Sequence, residues 1–165
     1  MVTSMKDRRK KEVFLVLHNA RSVHNVGSIF RTADAAGASK IFLTGFTPIP
    51  IDRFGRPRKD FAKTALGAEK NVAWEHRKSL PPLVVELRER GVQIIALEQA
   101  KSSVDYKKIK PKFPFALVLG NEVSGISKNI LKKCDKLCEI PMHGEKESLN
   151  ISVTLGIALF RILNI

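Results

Sequence analysis

The chain has 165 residues, of which 44% are hydrophobic and 27% charged, a composition typical of one ordinary domain. Its formal net charge of +13, from 29 Lys and Arg against 16 Asp and Glu, favours a polyanionic partner, above all nucleic acid, over a merely soluble surface. No apolar run reaches the roughly 18 residues of a membrane span and no secretory signal opens the chain, so we expect a cytoplasmic protein without a membrane partner.

Short strands and helices are predicted to alternate along the chain. Apolar, β-branched runs predict strands at 13–17, 40–45, 72–76, 92–98, 115–120 and 136–141. Helical patterns occupy 25–37, 80–91, 126–134 and 147–163. Asn25 is the expected N-cap of the first helix, and Gly37 its C-cap. The alternation predicts the α/β class, with a mostly parallel sheet, helices on both faces, and ligands beyond the carboxyl ends of the strands.

Basic residues concentrate in three stretches, 6–11, 53–63 and 107–112, which favours contact with RNA or DNA. The second lies in a long polar stretch, 44–70, for which the sequence predicts no regular element. We expect the basic segment 53–63 to determine the choice of substrate, and its candidate nucleic-acid contacts are Arg53, Arg56, Arg58 and Lys59.

The cysteines and histidines do not form a metal motif. The two cysteines stand four positions apart and the four histidines are scattered, unlike the ligands of a zinc site. We therefore expect no metal. The whole chain, 1–165, is predicted to be a single domain with a short basic N-terminal tail at about 1–11.

The first predicted helix has two distinct faces. Its apolar face holds residues at helical spacing that we assign to the core: Val26, Ile29, Phe30 and Ala33. Gly27 and Arg31 fall on a different face, with Asp34 beside Arg31. Either Arg31 and Asp34 form an ordinary exposed ion pair, or Gly27 gives room while Arg31 points at a ligand near the start of the helix.

The segment LGNEVSGIS, which ends a predicted strand, has the glycine spacing of a phosphate-binding loop. Gly120, Gly125 and Ser127 occupy Walker A positions, but Ile126 stands where that motif needs its lysine. ATP hydrolysis is therefore disfavoured, and the glycines favour close approach of the backbone to another ligand. Glu122 either caps the next helix or meets a cation or hydroxyl group.

The closing helix is apolar almost all round, which is typical of a helix buried on several sides. In a domain of this size, we expect part of its surface to form a subunit interface. Asn150 interrupts the apolar series at the first turn, and a buried amide there needs hydrogen-bond partners. Ser148 or one of its neighbours is expected to cap the helix.

Three of these stretches together resemble the SpoU (TrmH-type) family of the SPOUT superfamily of RNA methyltransferases. A first motif like N-x-G-x-x-x-R-T-A runs from Asn25 to Ala33, and a second like L-x-x-G-x-E-x-x-G runs from Leu117 to Gly125. A third resembles I-P-M followed by S-L-N-x-S, here 140–142 and 148–152. All three occur in order, and the resemblance covers nearly the whole chain.

The resemblance implies an enzyme that transfers a methyl group from S-adenosyl-L-methionine to a ribose 2′-hydroxyl of tRNA or rRNA. It also implies a C-terminal deep trefoil knot, a homodimer, and RNA that crosses the dimer interface. Arg31 would be the catalytic arginine, with Asn25, Glu122 and Asn150 positioning it, the ribose or the cofactor. The cofactor pocket is expected to be lined by Leu97, Gly120, Ile140, Met142, Ser148 and Leu149.

Several alternatives stay open. They are a non-catalytic RNA-binding protein on the same fold, a methyltransferase of the superfamily that acts on a base, and a nucleotide hydrolase. Arg31 is open to two roles, general base or positioning group, although a guanidinium with a pKa above about 12 stays protonated. Since the resemblance leaves only a short basic tail outside the domain, the domain itself is expected to bind the RNA.

Overall fold

Seven parallel strands form one sheet in the computed structural model, which describes residues 11–165. The strands are β1 (Val13–His18), β2 (Lys40–Thr44), β3 (Trp74–Arg77), β4 (Gln93–Leu97), β5 (Val104–Asp105), β6 (Phe115–Leu119) and β7 (Lys136–Glu139). Their order is β3-β2-β1-β6-β4-β7-β5, and every neighbouring pair is parallel. Positions 1–10, which hold nearly all of the predicted tail and of the basic stretch 6–11, lie outside the described residues.

Helices cover both faces of the sheet. They are α1 (Val23–Ala36), α2 (Lys59–Ala65), α3 (Ala68–Asn71), α4 (Leu80–Glu89), α5 (Lys128–Leu131) and α6 (Ile151–Leu163), with a 3₁₀ turn at Tyr106–Lys108. Alternate residues of β1 enter two separate cores: Leu15 and Leu17 pack with α1, α2 and α6, whereas Phe14 and Val16 pack with α4. Burial on both faces explains why the strands lack polar alternation, and the predicted α/β class is confirmed. None of the described helices is long and apolar enough to cross a bilayer.

The start of α1 differs from the prediction. Ser22 is its N-cap, since Ser22 Oγ accepts a hydrogen bond from the backbone N–H of Asn25 at 3.2 Å. Asn25 therefore lies inside the first turn, where its side chain is free for another role, and its prediction as N-cap is wrong. Gly37 ends the helix in the left-handed conformation, with φ of 72°, as predicted.

The last two helices are shorter than predicted. Helix α6 begins at Ile151 because Asn150 caps it, with Asn150 Oδ1 accepting from the N–H of Ser152 at 2.9 Å. Residues 147–150 consequently belong to a loop. Helix α5 is a single turn. Just before β7, the N–H of Asp135 donates to the carbonyl oxygen of Ile94 in β4 at 2.8 Å, which begins the pairing of β7 with β4.

The stretch 44–70 contains α2 and all but the last residue of α3, two helices that the sequence did not predict. Helix α2 packs closely on α1 because Gly27 has no side chain. A Cβ there would collide with Thr64 Oγ1 and lie 3.0 Å from the carbonyl oxygen of Phe61. The rings of Phe30 and Phe61 meet edge to face, with centroids 5.1 Å apart. Gly27 thus gives room to a helix, and the alternative in which it gives room to a ligand is wrong.

Candidate functional site

The loops that follow β4, β6 and β7 enclose a cavity of about 310 Å³ at the carboxyl edge of the sheet. This volume is at the small end of the range of small-molecule sites. The cavity brings together all six residues to which the resemblance assigns the cofactor: Leu97, Gly120, Ile140, Met142, Ser148 and Leu149. Segments far apart in the sequence therefore converge where a parallel sheet is expected to bind its ligand.

The loop after β6 forms a tight turn. The N–H of Gly125 donates to the carbonyl oxygen of Asn121 at 2.9 Å. Asn121 Oδ1 accepts from the N–H groups of Val123 and Ser124. A Cβ on Gly120 would lie 2.6 Å from the carbonyl carbon of Gly125, so only glycine fits where the loop folds back against its own start. Ile126 is buried in the core on the α4 side of the sheet, which is consistent with the absence of a Walker A lysine.

Glu98, which no sequence argument singled out, joins two of these loops. Its Oε2 accepts from the N–H of Ile126 at 2.9 Å, and its Oε1 accepts from the N–H of Gln99 at 3.1 Å. Gln99 Nε2 donates in turn to the carbonyl oxygen of Glu147 at 2.7 Å. The wall of the cavity is thus fixed by a chain of hydrogen bonds that begins at Glu98. A carboxylate directly after the apolar run of β4 is the only signal in the sequence that marks it.

Asn25 and Asn150, both predicted to position the reacting groups, contact each other. Asn150 Nδ2 donates to Asn25 Oδ1 at 3.0 Å, which links α1 to the start of α6. Asn150 Oδ1 also accepts from Ser152 Oγ at 2.6 Å. Asn150 is exposed, so the expectation of a buried amide is wrong, although the expected hydrogen-bond partners are present.

Arg31 is exposed on α1 and does not line the cavity. Among the described residues no carboxylate pairs with it, so the ion pair with Asp34 is not formed. The next residue, Thr32, lies against α6, where its Cγ2 would be 3.9 Å from a Cβ on Gly156. Arg31 is therefore an exposed residue of α1, next in sequence to a residue that lies against α6.

Glu122 lines the cavity, but its partner is not the one expected. Both of its carboxylate oxygens lie 3.3 Å from the backbone nitrogen of Arg21, which donates to them from the loop after β1. The expected contact with Arg31 is not formed, and the alternative in which Glu122 caps the next helix is wrong, because Ser127 occupies that cap. Glu122 instead fastens the loop after β6 to the loop after β1.

Asn19 makes a second connection between loops. It has φ of 55°, its Oδ1 accepts from the N–H of Phe46 at 3.1 Å, and its carbonyl oxygen accepts from Asn121 Nδ2 at 2.8 Å. The loops after β1, β2 and β6 are therefore held together at one edge of the sheet. Neighbouring His18 bonds to Thr44 Oγ1 through Nδ1 at 2.8 Å, and its partial burial lowers its pKa.

Three of the predicted nucleic-acid contacts, Arg53, Arg56 and Arg58, lie on a basic loop between β2 and α2, and the fourth, Lys59, is the first residue of α2. Arg53, Arg56 and Lys59 are exposed, whereas Arg58 is half-buried. Arg56 pairs with Asp52 at 2.9 Å, and Arg58 pairs with Asp60 at 2.7 Å. The backbone N–H of Arg56 lowers the pKa of Asp52, and the Arg58 side chain lowers that of Asp60. No cluster of three metal-ligating side chains occurs in residues 11–165.

Residues 12–160 match the model of the SpoU rRNA Methylase family. The tRNA (guanosine(18)-2'-O)-methyltransferase of Aquifex aeolicus is 32% identical over 154 residues, which cover 93% of this chain and 70% of that protein. YacO of Bacillus subtilis, named for the TrmH family of tRNA/rRNA methyltransferases, is 32% identical over 156 residues and 94% of this chain. The AdoMet-bound rRNA methyltransferase of Sinorhizobium meliloti superposes with a TM-score of 0.82 at 30% identity over 94% of this chain.

These relatives are longer than the chain. It spans 60% of YacO and 57% of the Sinorhizobium structure. The similarity covers the sheet, its helices and the loops of the cavity, since the matched residues run from before β1 into α6.

Proposed function

The chain belongs to the SpoU rRNA methylase family, and on that premise we propose that it transfers a methyl group from S-adenosyl-L-methionine to a ribose 2′-hydroxyl of tRNA or rRNA. The observation that carries the proposal is the cavity at the carboxyl ends of β4, β6 and β7, where residues of the second and third motifs converge. An RNA substrate also accounts for the net charge of +13 and implies a location in the cytoplasm, where such RNAs are processed.

The residues of the cavity suit this cofactor. Leu97, Ile140 and Leu149 offer apolar surface to a nucleoside, while Gly120 and Gly125, which have no side chains, contribute backbone to the cavity wall. We propose that these groups, with Met142 and Ser148, hold the cofactor. When bound, S-adenosyl-L-methionine supplies an electrophilic methyl group on a sulfonium centre.

Arg31, Asn25 and Asn150 are the groups that we assign to the ribose. Arginine stays protonated in proteins, so we assign Arg31 the binding of the 2′-oxygen and an adjacent phosphate through its planar guanidinium. The hydrogen bond between Asn25 and Asn150 fixes the surface beside it. Glu122, at the wall of the cavity, would orient the ribose toward the cofactor. Correct placement of the incoming oxygen accounts for much of the rate gain in such a transfer.

We propose that the active unit is a homodimer formed through α6. The exposed face of this helix carries Val153 (48% exposed) and Ile157 (39%), four positions apart, and Leu149 (39%) lies in the loop two residues before the helix begins. A continuous exposed apolar stripe of this kind is typical of a protein interface. Since α6 packs on α1, a second copy on this stripe would lie near Arg31, and RNA would cross between the two copies.

The C-terminal part is proposed to form the deep trefoil knot implied by the resemblance. Two features support this proposal: β6 lies between β1 and β4 in the sheet, and Gln99 contacts the loop at Glu147 that leads into α6. An experimental map traced through residues 90–165 tests it, and an unknotted path there would exclude it.

One experiment separates the proposed activity from its rivals. The purified protein is incubated with radiolabelled S-adenosylmethionine and with tRNA and rRNA from a strain that lacks the gene, and the modified nucleosides are identified. A 2′-O-methyl nucleoside supports the proposal, whereas a methylated base would identify a base-directed enzyme. Binding of the cofactor or of RNA without transfer would indicate a non-catalytic RNA-binding protein. Arg31→Lys, which keeps the charge but loses the planar guanidinium, must transfer methyl groups more slowly than the wild type.

A further inference from the structure

The basic loop after β2 contains a short hairpin at residues 50–58. Ile51 and Pro57 face each other as an antiparallel bridge. The N–H of Asp52 donates to the carbonyl oxygen of Arg56 at 2.8 Å, and the N–H of Arg58 donates to that of Pro50 at 2.9 Å. This segment, called the basic hairpin below, is therefore a defined structure with a tip around Phe54.

Asp52 fixes the tip. Its Oδ1 accepts from the N–H groups of Phe54 at 2.8 Å and Arg56 at 3.0 Å, while its Oδ2 accepts from Arg56 Nε at 2.9 Å. These bonds use both carboxylate oxygens. A tip held in this way loses little conformational entropy when it binds a ligand.

Phe54 at this tip is 65% exposed. Two guanidinium groups lie near its ring, with Arg53 Cζ at 4.7 Å and Arg56 Cζ at 5.0 Å from the ring centre. Both distances are those of cation–π contacts, which hold the ring without burying it. A large aromatic side chain held outside the core contributes little to folding, so its place beside two arginines needs another explanation.

Single-stranded RNA is bound by the combination found on the basic hairpin. Aromatic rings stack on bases, whose faces are alike in every nucleotide, while arginines neutralise the neighbouring phosphates. Arg53 and Arg56 are both exposed and adjoin Phe54, and a depression of about 590 Å³ lined by Ile49 and Ile51 lies beside the ring.

The hairpin lies on the same edge of the sheet as the cofactor cavity. It follows the carboxyl end of β2, and Asn19 joins the start of this loop at Phe46 to Asn121 of the cavity loop. A strand of RNA whose ribose reaches the cavity can therefore pass over the hairpin.

We propose that Phe54 is a stacking platform for a nucleobase of the RNA substrate, with Arg53 and Arg56 on the flanking phosphates. This inference rests on the proposed RNA function and adds to it a contact outside the reacting ribose. The contact requires an unpaired base but does not depend on which base it is, so it favours loops and single strands over duplex RNA.

The test compares two labelled strands of about 12 nucleotides, one of mixed RNA sequence and one built entirely of abasic ribose. Wild-type protein is expected to bind the mixed strand about ten-fold or more tightly than the abasic strand, because stacking needs a base. Phe54→Leu keeps apolar bulk but removes the ring, so it should lose most of this preference, and Phe54→Trp should retain it. Phe113→Leu is the matched control, since Phe113 is also exposed but precedes β6 at the opposite edge of the sheet.

Two further measurements distinguish the outcomes. Phe54→Leu should keep the wild-type affinity for S-adenosylmethionine and the wild-type kcat at saturating RNA, with the loss confined to KM for RNA. If Phe54→Leu kept the preference for the mixed strand, or weakened both strands equally, stacking would be excluded. If the wild type bound neither strand but still bound S-adenosylmethionine, stacking would again be excluded, and the RNA substrate itself would be in question.

Discussion

Asn150 Nδ2 donates a hydrogen bond to Asn25 Oδ1 at 3.0 Å, across 125 positions of the chain. The same Asn150 side chain caps α6 through its Oδ1. One residue thus begins the closing helix and fastens it to the helix that carries Arg31. Two substitutions of Asn150, one by a residue that can still cap the helix and one by a residue that cannot, separate its contribution to stability from its contribution to activity.

Asn150→Ser should keep the stability of the wild type and lose activity. Serine also caps helices, but its hydroxyl is too short to reach Asn25, so methyl transfer should fall by about ten- to a hundred-fold through misplacement of the reacting groups. Asn150→Ala should lose the cap as well, which lowers the free energy of unfolding by about 1 kcal/mol. Urea denaturation and transfer assays on both variants measure the two effects, and equal activity of Asn150→Ser and wild type would contradict the assigned role.

Glu98→Ala should weaken cofactor binding. The substitution leaves the N–H groups of Ile126 and Gln99 without their acceptor. At the partly buried N–H of Ile126 this costs about 1–3 kcal/mol, and both losses loosen the walls of the cavity. Calorimetric titration with S-adenosylmethionine should show a higher Kd, while Glu89→Ala on the exposed face of α4 should leave it unchanged. An unaltered Kd in Glu98→Ala would show that the hydrogen bonds are dispensable for the cofactor.

Gly120→Ala should impair both the fold of the loop and the affinity for the cofactor. Its Cβ would lie 2.6 Å from the carbonyl carbon of Gly125, and such overpacking typically costs about 1–3 kcal/mol. Gly144→Ala is a matched control in a neighbouring loop, because a Cβ there meets nothing within 4 Å. Thermal melting and cofactor titration should separate the two variants, and equivalent behaviour would argue against a tight turn at Gly120.

Val153→Lys should disrupt the proposed homodimer. A lysine in the centre of the apolar stripe on α6 would be desolvated in the dimer without a partner, which should raise the dimer dissociation constant at least about ten-fold. Sedimentation velocity at several protein concentrations measures the change. Val85→Lys, at a position that is 45% exposed on α4, should sediment like the wild type. A monomeric wild type would exclude the dimer outright.

His18→Gln should flatten the acid side of the stability profile. Burial lowers the pKa of His18 in the folded state, so between its unfolded pKa near 6.5 and the lower folded pKa the unfolded chain binds more protons. The wild type therefore loses stability as the pH falls from the unfolded pKa near 6.5 towards the lower folded pKa, whereas glutamine does not titrate. If the unfolding free energies of the two proteins changed with pH by the same amount over this interval, His18 would contribute nothing to the pH dependence.

The alternating strands and helices, and the edge of the sheet at which a ligand is expected, were predictable because local patterns specify them. Continuous apolar runs such as FALVL can bury both faces only in the middle of a parallel sheet, and the carboxyl ends of such strands meet at one edge. The loops that follow these runs therefore meet at that edge, whereas the individual residues of the cavity, such as Leu97 and Leu149, were assigned by the resemblance. Gly37 was equally local, since a helix that ends in the left-handed conformation favours glycine.

By itself, the sequence determined most of the strands and helices and the edge at which the motifs gather, because hydrophobic period and chain direction are properties of short segments. Only the tertiary structure decided that Asn25 bonds to Asn150 and does not cap its own helix. It also decided that Glu122 accepts a hydrogen bond from the backbone of Arg21 and makes no contact with the Arg31 side chain. Helix α2, likewise, forms because it can pack against Gly27. These contacts join segments up to 125 positions apart. A short helix is stable only when packed, and a polar side chain takes the partner that neighbouring loops bring to it, so neither outcome is encoded in local spacing.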